Sequence, residues 1–128
     1  MTTHLTVDQM KEVVKAHFDE FVNKRNAAVI RANMTPDFVD HDGPGKRPTG
    51  MDGDERMMKA MYTAMPDLRV AIEDIVAEGD RVVCRNTWRW TDPGTGKRME
   101  CHGFVMWRFE GEKIAERWAT VTPPEEES

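Results

Sequence analysis

The hydrophobic period of this chain changes once, and that change limits its fold more than any other feature. Before Pro66 the large apolar residues recur at helical spacing; from Leu68 they fall in short alternating runs separated by tight turns. Met10, Val13, Val14, His17 or Phe18, and Phe21 make one amphipathic stripe, and Thr6 with Gln9 three residues on is the capping box that starts it. Ala27, Val29, Ile30 and Met34 predict a short second helix that ends before Pro36, because a proline disfavours helical backbone in the residue it follows. Residues 40–50 hold three Gly and two Pro and read as a loop. A third helix follows, with Asp52 or Asp54 as its cap and Met58, Met61, Tyr62 and Met65 along one side, until Pro66 stops it.

Val70, Ile72, Ile75 and Val76 then form a strand whose alternation breaks near Asp74, as at a β-bulge. Glu78-Gly79-Asp80 turns into the Val-, Thr- and Trp-rich run Arg81 to Trp90, Asp92 to Gly96 turns into Met99 to Phe109, and Glu110-Gly111-Glu112 turns into Ile114 to Val121. Connections this short permit only antiparallel neighbours, so the four strands make a meander. Helices first and an antiparallel sheet afterwards is the α+β layout, a curved sheet closed over by helices into a cone with one open end. One domain spanning residues 1–128 is expected, with the charged tail 122–128 frayed.

Charge and composition narrow the partners. With 18 basic against 23 acidic side chains and a net charge of -5, a general nucleic-acid binder is not expected. No apolar run approaches the roughly 20 residues of a membrane span. Met1-Thr2-Thr3-His4 has no basic start leading into an apolar core, so no secretory leader is expected. Cys84 and Cys101 lack metal-site spacing, which favours a reduced, cytoplasmic interior without a structural metal. Small molecules and protein partners remain.

Asp37-Phe38-Val39-Asp40-His41-Asp42, then Gly50, Met65 to Val70, Ile75 to Val82 and Gly111 to Trp118 occur in this order. The series resembles the SnoaL-like polyketide cyclase group of the nuclear transport factor 2-like superfamily, over roughly residues 8 to 121. The resemblance implies a conical half-barrel, often dimeric through the outer face of its sheet, whose pocket closes a ring by intramolecular aldol condensation without metal or cofactor. It also implies a single acid–base Asp in a Gly-x-Asp stretch before the last hairpin. This chain reads Gly103-Phe104-Val105 there, so Val105 stands in the aspartate's position. Valine can neither remove a proton α to a carbonyl nor protonate an alkoxide. The turn at Asp92 to Gly96 is also shorter than the family's segment, which would open the mouth of the cone.

Other residues must then carry any chemistry. His41, flanked by Asp40 and Asp42, is a candidate acid or base at the pocket edge; the competing reading is a polar loop in which the aspartates cap backbone amides. On the last strand the resemblance turns Ile114, Glu116 and Trp118 inward. An inward Glu116 needs a partner, and Arg85 is the natural one, as a charged pair at the pocket base or as a plain salt bridge. Parity on the preceding strand puts Cys101, Gly103, Val105 and Trp107 inward, and His102, Phe104 and Met106 outward as an apolar dimer surface. Trp118, Trp107, Val105, Tyr62, Met58 and Met61 are expected around the cavity, with core packing as the alternative for the aromatics and methionines. Cys84 has no feature that would make it a nucleophile.

The expected protein is a SnoaL-like polyketide cyclase or ester-cyclase type that acts on a small apolar, carbonyl-containing or polycyclic molecule by cofactor-free acid–base chemistry, with His41, Glu116 and Arg85 as its catalytic set. The alternatives are a non-catalytic binding protein of the same fold, for which Val105 speaks, and an isomerase or epoxide hydrolase, which would need a pocket carboxylate of perturbed pKa.

Overall fold

A computed structural model describes residues 4–127; Met1 to Thr3, on which the reading of the leader partly rests, and Ser128 of the tail lie outside the described residues. Helix α1 (Val7–Phe18) starts at Thr6, whose hydroxyl accepts from the Gln9 amide while the Gln9 side chain accepts from the Thr6 amide. It buries Met10, Val14, His17 and Phe18 and runs on into a π-helical turn over Asp19–Asn23. Asn23 then clamps the helix end to the sheet, donating to the Val70 carbonyl at 3.2 Å and accepting from the Val70 amide at 2.8 Å.

Helix α2 (Val29–Asn33) is brief, and the chain continues directly into strand β1 (Met34–Asp40), where the sequence had promised only the end of a helix and a loop. Pro36 is tolerated there because β1 lies at the sheet's edge, where a missing amide donor costs little. Helix α3 (Met51–Ala64) is capped by Gly50, so Asp52 and Asp54 sit within its first turn. The remaining strands are β2 (Arg69–Glu78), β3 (Arg81–Thr91), β4 (Arg98–Glu110), β5 (Lys113–Val121) and the short β6 (Glu125–Glu126). Their order is β1-β5-β4-β3-β2, with β6 on β4. All neighbours in the meander are antiparallel, but β1 runs parallel to β5, so the sheet is mixed and open.

Two bulges decide which side chains face the helices. In β2 the register shifts between Ile72 and Asp74, which keeps Val70 and Ile72 on the same face as Ile75 and Ala77, opposite Trp88, Asn86, Cys84 and Val82. In β5 Ile114 pairs with Phe109 but Glu116 pairs with Arg108, so Ala115 is the extra residue and the face alternation reverses there. Gly79 and Gly111 supply the positive φ, +60° and +61°, that the two tight hairpin turns require. The core of Met10, Val14, Phe18, Ile30, Val82, Val105, Trp107 and Ile114 lies between this inner face and the helices. No described helix is long and apolar enough to cross a membrane.

The tail does not fray within the described residues. Beyond Pro123-Pro124 it folds back as β6, with Glu126 opposite Met99 and Glu125 opposite Glu100. Lys97 pairs with Glu126 at 2.7 Å and Arg98 with Glu127 at 3.3 Å, which gives a charged segment a reason to dock.

Candidate active site

The inner face and the helices enclose a cavity of about 50 Å³. Phe18, Phe21, Ile30, Met58, Trp88 and Trp107 form much of its apolar wall. Four polar residues also reach it: His17 from α1, Asp40 from the end of β1, Asp54 from α3 and Arg117 from β5. Parallel pairing of β1 with β5 sets Asp40 beside Arg117, and the reversal at Ala115 turns Arg117 inward. Arg117 Nη1 donates to both carboxylate oxygens of Asp40 at 3.1 Å, and its guanidinium lies 5.6 Å from the Trp107 ring centre. Asp40 is 1% exposed, so this is a buried ion pair.

Asp54, 4% exposed, has an Oδ1 with no hydrogen-bond partner among the described residues. Burial first, and then the Asp40 carboxylate beside it, push the Asp54 carboxyl up to about 8 against the opposing pull of Arg117. Near neutral pH it is mostly a neutral acid that can still give up its proton. His17 is stacked on Phe21 at 5.0 Å and edge-on to Trp107 at 5.6 Å. Its Nδ1 accepts from the Asn33 amide at 2.9 Å, which leaves Nε2 to carry the ring hydrogen. Burial, helped by the Arg117 charge, lowers His17 to about 3, so this ring is neutral and its Nε2–H can donate to a ligand in the cavity. Asn86 points to the same interior from β3, fully buried, with neither side-chain polar atom partnered among the described residues.

The residues singled out in the sequence fall into two groups. His41 and Glu116 do meet, Nε2 to Oε2 at 2.7 Å, but on the outer face of the sheet and off the cavity lining. The Ala115 bulge is the reason, since without it Ile114, Glu116 and Trp118 would share one face. Glu116 takes its cation from Arg108, Nε to Oε1 at 2.5 Å, and hydrogen bonds from His41 and then Arg108 hold its carboxyl below the usual range. Arg85 is not its partner: Arg85 lies outward, opposite Phe104, and binds Asp74 at 2.7 Å across the β2–β3 pair. Trp118 is likewise outside, its ring parallel to His41 at 4.9 Å and 5.1 Å from the Arg81 guanidinium. Trp107 and Met58 line the cavity, whereas Val105 is fully buried in the core, paired with Cys84 and Ala119. Tyr62 donates its hydroxyl to the Phe21 carbonyl, and Met61 lines an outer groove beside α3. His102 faces outward beside Glu100 and Glu125, and burial pushes the Cys84 thiol to about 12, far from a nucleophile's range.

Sequence reasoning passed over the interior group because its members looked local. Asp54 and Asp40 read as caps and His17 as part of a helical stripe. The usable signal was a polar residue in a buried pattern: Asp54 shares a helical face with Met58 and Met61, and His17 shares one with Met10, Val14 and Phe21.

No curated protein matches the chain. Among solved structures it is similar to AclR of Streptomyces galilaeus, described provisionally as a hydroxylase, at 24% identity over 91% of this chain and 81% of that one, with a TM-score of 0.81. It is similar to IdmH of Streptomyces antibioticus, described provisionally as a polyketide cyclase, at 24% identity over 87% and 90% of the two chains, with a TM-score of 0.77. TsrD of Streptomyces laurentii matches at 16% identity over 92% and 91%, with a TM-score of 0.79. At these identities the likeness shows the nuclear transport factor 2-like fold. A family model for SnoaL-like polyketide cyclases matches residues 12–121. The chain therefore belongs to the SnoaL-like polyketide cyclase family.

Proposed function

We propose that this protein is an enzyme of the cyclase type that acts on a small apolar carbonyl compound by proton transfer within the cone, with Asp54 as the acid–base group. The observation that carries this reading is the Asp54 carboxyl, buried in an apolar cavity beside the Asp40–Arg117 pair and tuned to about 8. Ionised Asp54 takes a proton from the carbon α to the carbonyl. The enolate oxygen is met by His17 Nε2–H and by the Arg117 charge, and after ring closure Asp54 returns the proton to the new alkoxide. Asp54 thus fills the role for which Val105 is unfit. The cavity is compact, so a ligand enters by displacing flexible thioethers such as Met57 and Met58. Exchange of α-protons of small ketones in heavy water, followed by NMR, tests this: the native protein should accelerate exchange and Asp54→Asn should not. Equal exchange by both proteins would rule out Asp54.

The protein is further proposed to work as a homodimer through the outer sheet face, where Phe104 is 56% exposed beside Met106 and Trp118, and Val76, across Val83 from them, is 62% exposed. Sedimentation of Phe104→Asp against the native protein checks this, the variant being expected as a monomer. The unpaired Cys84 and Cys101 support a cytoplasmic setting.

A further inference from the structure

A second concavity of about 530 Å³ lies on the outside of α3, against the Pro44–Thr49 segment. Met57 belongs to its wall and also to the wall of the inner cavity, so this flexible side chain borders both spaces. Pro44, Pro48 and Met61 give the groove an apolar surface, and Arg47 and Arg56 give it charge. Arg31, Arg81, Arg85, Arg89, Arg98, Arg108 and Arg117 each have an acidic partner. Among the described residues Arg47 and Arg56, like Arg25 and Arg69 elsewhere in the chain, have none within 4.0 Å, and of these four only Arg47 and Arg56 line this groove. Asp52, the acid one turn before Arg56, is held by Arg31. The groove's shape is fixed by close packing: a Cβ on Gly53 would stand 1.8 Å from Thr49 Oγ1, and Thr49 and Asp40 exchange backbone hydrogen bonds of 2.7 and 2.9 Å. The segment that carries Arg47 is therefore tied to the residue that carries the inner ion pair.

We propose that this groove is the entrance to the cavity and that it selects a substrate bearing a carboxylate. Arg47 and Arg56 hold the carboxylate at the mouth while the apolar, carbonyl-bearing end passes Met57 toward Asp54. Two cations without acidic partners beside an apolar surface, in a chain of net charge -5, complement an organic anion with an apolar body. The proposal rests on the acid–base reading for its direction of entry, but its charge preference can be measured apart from turnover.

The test uses benzoylpropionate and its uncharged amide, which share one aryl ketone and differ in charge. NMR titration of the native protein at low salt should show the acid binding about five- to tenfold more tightly than the amide, the combined effect of two exposed ion pairs. The preference should shrink as salt is added. In the double variant Arg47→Gln, Arg56→Gln the acid should bind no better than the amide, with the amide's affinity unchanged. Equal affinities in the native protein, a preference that survives in the double variant, or no binding of either probe would overturn the proposal. α-Proton exchange of the same two probes separates the readings: preference without exchange counts against Asp54 alone, and exchange without preference counts against the carboxylate site alone.

Discussion

Replacing Asp54 by Asn should make the protein's stability less dependent on pH, by an amount that follows from the position of the carboxyl. In the folded chain the group titrates at about 8 instead of its usual 3.8, so between those values the folded state holds a proton that the unfolded state has released. That difference makes the native protein lose stability as pH rises through this window, and the loss levels off above 8. His17 acts with the opposite sign, because its folded value near 3 lies below its usual 6.5 and stability falls as pH drops through that range. Above pH 6.5 the His17 contribution dies away, and because Asp54→Asn keeps His17 the comparison isolates Asp54 between 6.5 and 8. About 1.5 pH units at roughly 1.36 kcal/mol each comes to about 2 kcal/mol. For a chain of this length that is on the order of 8 °C in Tm. Asn matches the neutral acid in shape and carries no titrating proton, so Asp54→Asn should lack this slope while sharing every other titration. Thermal melts of both proteins across pH 6.5 to 8 measure the difference directly. Parallel Tm curves would refute the burial argument, and with it the tuned acid on which the proposed chemistry depends.

The same group sets the pH dependence of turnover: kcat/KM for α-proton exchange should rise tenfold per pH unit below about 8 and level off above it, as ionised Asp54 becomes the major form. Arg117→Ala leaves Asp40, 1% exposed, as a buried carboxylate without its cation, and denaturant titration should show a loss of about 3–5 kcal/mol. Glu116→Gln weakens the His41 and Arg108 contacts on the outer face and should leave exchange kinetics within twofold of native, since neither His41 nor Glu116 borders the cavity. Gly103→Ala should lower Tm, because the added Cβ would lie 2.4 Å from the Thr120 carbonyl oxygen and force β4 and β5 apart.

The two halves of the fold were legible because their signals are local. The capping box at Thr6, the methionine face of α3, the β2 bulge and the hairpin glycines each act within a few residues and can be read where they stand. Strand β1 was not, because Met34 to Asp40 holds a proline and pairs with residues more than seventy positions away. The tail failed for a similar reason, since its docking depends on Lys97 and Arg98 across the sheet. His41 and Glu116 were both named as candidates, but Glu116 was given Arg85 as its partner and the wrong face, because the alternation turns on one residue, Ala115, that nothing in the sequence marks.

By itself, the sequence determined an α+β cone, the start of its first helix and its hairpin turns, and membership of a fold group whose usual acid is replaced by Val105. Only the tertiary structure decided where charge enters that cone. The Ala115 bulge turned Arg117 in and Glu116 out, the parallel β1–β5 contact delivered Asp40, and the packing of α3 buried Asp54 beside it. A strand's side-chain direction depends on register with a distant partner, and a carboxyl's proton affinity depends on the medium that folding builds around it; neither is a property of neighbouring residues.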